Sequence, residues 1–346
     1  MRRVVKLVLG GGVAVVGVVG LAAVAGYAWI SSASAARLAQ TFTVHDVSIP
    51  VPFPLTDEEI DELRAQRLAS LAEEGSDDLE NTDVLAGVDL GALAMERAIA
   101  RGKYLVDARY ACSECHGENF GGGTMVDDPV VGRLLGPNLT GGEGSVVKNY
   151  TISDWDRIVR HGVKPNGRPA VMPSMDFFAM SDEELSDIVA YIQSHPAVDH
   201  EVPPVTLGPL FMGLLALDQV PLSAATHPGH DREHVARPPS FDDTIAYGGH
   251  VAQVCTGCHR SDFTGGKVAG GPPDWPPASN LTPHEAGLAG WTEAEFADVL
   301  RTGKRRDGTA LREPMNELAA MATKMEDRDI HAMFAFLQSL PPKEGE

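Results

Sequence analysis

Two five-residue signatures set most of what this chain can become. Cys112-Ser113-Glu114-Cys115-His116 is matched downstream by Cys255-Thr256-Gly257-Cys258-His259. Cys-x-x-Cys-His is the attachment signature of c-type haem. Two thiols add across the porphyrin vinyl groups, and the adjacent imidazole lies under the iron as proximal ligand. A single Cys-x-x-Cys would suit a redox dithiol or a zinc site equally well. The histidine that follows narrows the choice, and the repetition narrows it again. All 4 cysteines are consumed. The expectation is therefore two haem c groups, on Cys112/Cys115 and Cys255/Cys258, with His116 and His259 as axial ligands. The alternative is one zinc bound by four thiolates from distant segments, and it leaves both histidines without a role.

The formal charge of −20 argues against nucleic acid as a partner and against a wide anionic membrane patch. It suits an encounter with a basic protein, or simply a soluble surface. Aromatic residues make up only 6% of the chain, which haem sites tolerate because the porphyrin supplies much of the apolar packing.

Arg2, Arg3 and Lys6 precede an uncharged apolar run from Leu7 to Ile30. At 1.5 Å per residue the run reaches about 36 Å, enough to cross the hydrocarbon with some tilt. The cations in front of it place the N-terminus in the cytoplasm and export the rest. Ala33-Ser34-Ala35 also resembles a signal-peptidase site, but signal cores are shorter, about 7–15 residues. The length favours a retained single-pass anchor in a bacterial cytoplasmic membrane, with the haem-bearing part in the periplasm. Five segments follow: 1–36 cytoplasmic tip and anchor, 37–100 stalk or extension, 101–200 first haem domain, 201–245 linker, 246–346 second haem domain.

Within 37–100, the prolines at 50, 52 and 54 predict extended chain. Thr56 and its following acids predict a helix through about Ala72. Glu73 to Asp83 reads as an acidic connector. The stretch either lifts the haem domains off the bilayer or packs along the first of them.

Each haem half has the same order: a helix entering the first Cys (opening at Gly102 in the first half and at Tyr247 in the second), Gly-rich loops, Asn138-Leu139-Thr140 or Asn280-Leu281-Thr282, a helix with Trp155 or Trp291, methionines, and a closing helix. At this point the chain resembles a duplicated class I cytochrome c fold. The fold class implied is mainly α: two tandem class I cytochrome c domains behind an N-terminal transmembrane helix. In that fold the first and last helices cross, and a Met sulfur completes the iron. Among Met172, Met175, Met180, Met315, Met321 and Met325, the 143-residue offset between His116 and His259 pairs only Met172 with Met315. These are the expected sixth ligands. The resemblance also implies that a carbonyl ahead of the loop orients the proximal imidazole. Pro137 fits in the first half, and Ser279 stands there in the second. Trp155, Trp291, Arg160 and Arg301 could contact haem propionates or serve helix packing.

Between the halves, the apolar run Leu207 to Leu217 is too short to span a bilayer. It is expected to bury against a haem domain or fill the gap between the two. His227, His230 and His234 cluster beside Asp231 and Glu233, but Pro228 and Gly229 interrupt any helix. A solvated loop is the expectation there, with metal binding as the lesser reading.

The chain is similar to the membrane-attached cytochrome subunits of periplasmic alcohol and aldehyde dehydrogenases, which often carry three haems where this chain has two motifs. That resemblance implies an electron carrier rather than an enzyme. Electrons would come from a quinol-oxidising complex or a dehydrogenase and leave to an oxidase, reductase or soluble cytochrome. The alternative is a dihaem enzyme of the peroxidase or thiosulfate dehydrogenase type. The first needs an iron that can open, and the second an axial cysteine that this chain cannot spare.

Overall fold

The computed structural model describes residues 2–73, 83–268, 271 and 274–345, with residues 2–18 as backbone only. The acidic connector expected after Glu73 lies largely outside them. Helix α1 (Arg2–Leu38) runs 37 residues, about 55 Å at the α-helical rise. Its stretch Val19–Leu38 is long and apolar enough to cross a membrane, and only 6% of that window is buried by protein. Its bare flank is suited to lipid.

Helix α2 (Asp57–Glu73) begins where the sequence places it. Thr56 Oγ1 accepts from the Glu59 amide, and Glu59 accepts from the Thr56 amide. The chain before it does not stand free. Val44 and Ile49 are buried. Ser153 Oγ accepts from the Val47 amide and donates to its carbonyl. Ser186 Oγ donates to the Pro50 carbonyl. Residues 44–54 thus form a strap along the first half.

Helix α3 (Leu90–Tyr104) starts twelve residues earlier than Gly102, where the sequence suggested a helix opening. Asp89 caps it by accepting from the Ala92 amide. A π-helical turn, Leu105–Tyr110, leads into α4 (Cys112–His116), the first attachment motif. A hairpin of β1 (Gly123–Asp128) and β2 (Gly132–Gly136) follows, then α5 (Ile152–His161), a 3-10 turn Ser174–Asp176, and α6 (Asp182–Gln193). Strand β3 (Thr206–Leu207) adds to β2, antiparallel. Next come α7 (Pro209–Ala216) and α8 (Ser223–Thr226). The second half has α9 (Thr244–Ala252), α10 (Thr256–His259), α11 (Glu293–Thr302), α12 (Met315–Ala322) and α13 (Asp327–Ser339).

The helices cross in pairs, α3 on α6 and α9 on α13. Both crossings are so close that only glycine fits. A Cβ on Gly102 would lie 2.0 Å from the Asp187 carbonyl oxygen, and one on Gly248 would lie 1.9 Å from that of Ala332. Two cores form around these crossings. One gathers Leu105, Phe120, Trp155, Leu185 and Ile188; the other gathers Val251, Phe263, Leu300, Ile330 and Leu337. The start of the apolar run 207–217 lies against the first haem half, as one of its two expected places required: Leu207 pairs with Gly132, and the Leu210 amide donates to the Val130 carbonyl. The rest forms α7, which packs on α1, with Leu215 fully buried and Leu210 and Leu217 exposed.

Candidate functional site

The two attachment turns are built alike. His116 Nδ1 lies 3.0 Å from the Pro137 carbonyl oxygen, and His259 Nδ1 lies 2.7 Å from that of Ser279. A carbonyl only accepts, so each Nδ1 carries the proton and each Nε2 keeps its lone pair. Burial holds both imidazoles below their ordinary range, so they stay neutral. Ser279 therefore does what Pro137 does, because the acceptor is backbone and the side chain is immaterial. Burial also pushes the unattached Cys112 and Cys255 thiols up to about 12. Among the described residues, no group of three or more potential metal-ligand atoms includes a cysteine. The four-thiolate zinc reading is not supported.

The loops around the motifs are tied to the ends of the closing helices. Asn138 Oδ1 accepts from the Thr140 amide and hydroxyl, while its Nδ2 donates to the Val198 and His200 carbonyls. Asn280 repeats this with Thr282 and the Lys343 carbonyl. The glycines of the first half serve this packing. A Cβ on Gly136 would sit 1.9 Å from the Cys115 carbonyl oxygen. Their first role is to let the hairpin backbone cross the attachment turn.

Arg160 and Arg301 are matched clamps. Arg160, fully buried, donates to Asp156, Asp182 and the Met180 carbonyl. Arg301 donates to Asp327 and the Ala322 and Thr323 carbonyls. Both fasten the preceding helix to the loop before the closing one. The tryptophans differ. Trp291 is half-exposed under Arg306. Trp155 is buried, with an Nε1 that has no hydrogen-bond partner among the described residues. A buried, orphaned N–H in this half is the donor a haem propionate would accept from. The free Nε2 atoms and the paired thiols suit the same group.

Met180 and Met325 are buried in the two cores and precede the N-caps of α6 and α13. They are structural equivalents although 145 residues apart. The second half carries two extra residues between its methionines, so a fixed 143-residue register does not align this pair. Met172 is half-buried in the loop ahead of Met180, and Met315, also half-buried, is the first residue of α12.

The two halves meet at their sites. Tyr104 and Tyr247 each donate to Asp329, both at 2.7 Å. Glu184 accepts from Arg109 at 2.7 Å and from His250 at 2.8 Å. Asp176, three residues past Pro173, lies against the second attachment turn. A Cβ on Gly257 would be 2.3 Å from its Oδ1. Val254, just before the second motif, packs on the first core.

Comparison with known families decides the matter. The cytochrome c family model matches residues 245–341, and that of cytochrome c oxidase, cbb3-type, subunit III matches residues 97–192. The chain carries two cytochrome c domains. It is homologous to the cytochrome c subunit of a quinone-dependent alcohol dehydrogenase from Gluconacetobacter polyoxogenes, at 29% identity over 67% of this chain and 53% of the relative. It is similar also to the gluconate 2-dehydrogenase cytochrome c subunit of Pantoea cypripedii, at 28% over 76% of this chain and 65% of the relative. The fructose dehydrogenase cytochrome subunit of Gluconobacter japonicus matches at 24%, over 73% of this chain and 54% of its own length. The chain thus spans between about half and two thirds of these relatives.

Proposed function

We propose that this dihaem cytochrome c relays electrons at the periplasmic face of a membrane, as the cytochrome subunit or partner of a dehydrogenase. The observation that carries this reading is the contact between the sites: the turn after Met172 and Pro173 rests on the attachment motif of the second domain. When bound, haem c supplies a one-electron couple that cycles without bond breaking. The chain does the rest. Cys112, Cys115, Cys255 and Cys258 hold the two groups covalently. His116 and His259, oriented by the Pro137 and Ser279 carbonyls, would hold the irons through Nε2. Met172 and Met315 would supply the second protein ligand to each group; a thioether suits low-spin iron and raises its potential.

The donor is a dehydrogenase or a quinol-oxidising complex, and the acceptor an oxidase, reductase or soluble cytochrome. The acidic surface steers a basic partner. Helix α1 keeps the carrier at the bilayer, where membrane partners are concentrated.

The test is a pair of substitutions, Met172→Leu and Met315→Leu. Each should abolish about half of the far-red sulfur-to-iron band of the oxidised protein and lower one midpoint potential. If both variants keep the full band, the ligand assignment is wrong. If the purified protein turns over peroxide, the carrier reading gives way to an enzyme.

A further inference from the structure

The histidines of the linker do not lie in a solvated loop. The chain folds them onto α5 of the first domain, where His161 is fully buried. His161 Nδ1 lies 3.2 Å from His230 Nδ1, and His161 Nε2 lies 3.3 Å from His234 Nε2. Asp156 Oδ2 is 3.6 Å from His161 Nε2. His227 stacks on His230 with ring centroids 4.7 Å apart, and His45 from the strap lies within hydrogen-bond distance of the His230 carbonyl.

The hydrogen bonds fix the tautomers. His230 Nε2 lies 2.9 Å from the Ala224 carbonyl oxygen and must donate to it. A neutral His230 then has a lone pair on Nδ1, so His161 donates from its own Nδ1. His161 Nε2 is left with a lone pair that points toward a carboxylate oxygen. Asp156 is fully buried, and its Oδ2 has no hydrogen-bond partner among the described residues. His234 Nε2 at 3.3 Å can donate to His161 Nε2, but Asp156 Oδ2 is left bare against the imidazole, and a bare buried carboxylate oxygen is costly. A cation shared by the three groups removes that cost.

We propose that Asp156 Oδ2, His161 Nε2 and His234 Nε2 bind one divalent transition-metal ion, with zinc the best match. Zinc bonds of about 2.0–2.1 Å in a tetrahedron place neighbouring ligand atoms about 3.3 Å apart. The observed separations of 3.3 and 3.6 Å need little adjustment. These three groups also fall among the ligand sets compact enough to share one ion. The ligands are themselves held: His161 by His230, which donates to the Ala224 carbonyl, and Asp156 by Arg160, which donates to its Oδ1 at 2.6 Å. The charge of Arg160 is balanced by Asp156 and Asp182. A rival set, His161 with His227 and His230, would draw His161 Nδ1 away from its role as donor and lacks the carboxylate. The second domain has Thr302 where the first has His161, so the site belongs to the first domain alone. Bound metal would staple the interdomain linker to α5.

The experiment uses the full-length protein in detergent, with both haems attached, stripped with a chelator and titrated calorimetrically with zinc chloride alone. The expected result is one zinc per two haem irons, bound tighter than about 1 µM. His234→Ala should weaken binding at least about 100-fold, and Asp156→Asn at least about 10-fold, with haem spectra unchanged. His227→Ala should stay within about threefold of the parent, since His227 is outside the proposed ligand set. The proposal falls if the stripped protein binds no zinc at 100-fold weaker affinity than about 1 µM. It falls equally if His234→Ala and Asp156→Asn bind like the parent, or if His227→Ala alone abolishes binding.

Discussion

Glu184 sits where the two domains join, and removing its charge without its shape tests that junction. The Glu184→Gln side chain can still accept from the Ser181 amide, as Glu184 does at 2.9 Å, so the cap of α6 survives. Arg109 is left behind, buried and without its hydrogen-bonded counter-charge, with Asp329 as its remaining electrostatic partner; its side chain is 3% exposed and that of Glu184 is 0% exposed. Breaking one partner of a buried pair costs about 3–5 kcal/mol, because the desolvated charge that remains is uncompensated. For a domain of about 100 residues, each 1 kcal/mol moves the midpoint by about 4–8 °C, so the loss should be at least about 12 °C. The assay is thermal unfolding followed in the Soret band and by far-ultraviolet circular dichroism. The double variant Arg109→Met, Glu184→Gln should recover most of the loss, since a neutral pair carries no stranded charge.

pH gives an independent reading. Burial pushes the Glu184 carboxyl upward, but Arg109 and the hydrogen bond from His250 override it and hold it well below its ordinary value of 4.5. A depressed folded-state value contributes stability that is present above about 4.5 and lost as pH falls. The parent should therefore lose stability more steeply than Glu184→Gln below that pH. A midpoint shift under about 4 °C for Glu184→Gln would refute the reasoning.

Three further outcomes can be checked. Gly248→Ala gains about 1 kcal/mol of helix propensity but forces a Cβ to 1.9 Å from the Ala332 carbonyl oxygen. Overpacking of about 1–3 kcal/mol should win, seen as lower denaturant midpoints or lower haem occupancy. Ser279→Ala should leave the second midpoint potential within about 10 mV, because the acceptor for His259 is backbone; a larger shift in a redox titration would assign the role to the hydroxyl. Gly257→Ala lies in the second motif yet should shift the potential of the first domain, since its Cβ meets Asp176 beside the Met172 loop. A redox titration in which only the second haem responds would contradict the proposed coupling.

Much of this was legible in the residues. Thiol and imidazole spacing needs no tertiary context, and cap signals such as Thr56 with Glu59 and Ser181 with Glu184 are local. The matched arginines were visible as a repeat, though their clamping role was not. Other features depend on what folding brings together. The start of α3 hid in an alanine-rich stretch whose only signal is Asp89. The hairpin 123–136 hid among glycines. His161 lies 66 residues before His227, so no short-range pattern announces their meeting, and Pro228-Gly229 removes the helical spacing that would have flagged a metal site. The Met180 and Met325 equivalence was masked because two inserted residues broke the register on which the comparison relied.

Helix α1 is docked on the rest of the chain at its C-terminal end. It continues unbroken to Leu38, takes α7 on its flank, and is pinned there by an ion pair from Arg37 to Asp218 at 2.6 Å. The strap then joins it to the first domain without slack. With α1 retained as the proposed anchor, a carrier mounted on such a bracket would not search for partners by swinging on a tether. It would diffuse in the plane of the membrane at one height and tilt, and a partner that reaches one haem would have to present its own redox centre at that same elevation.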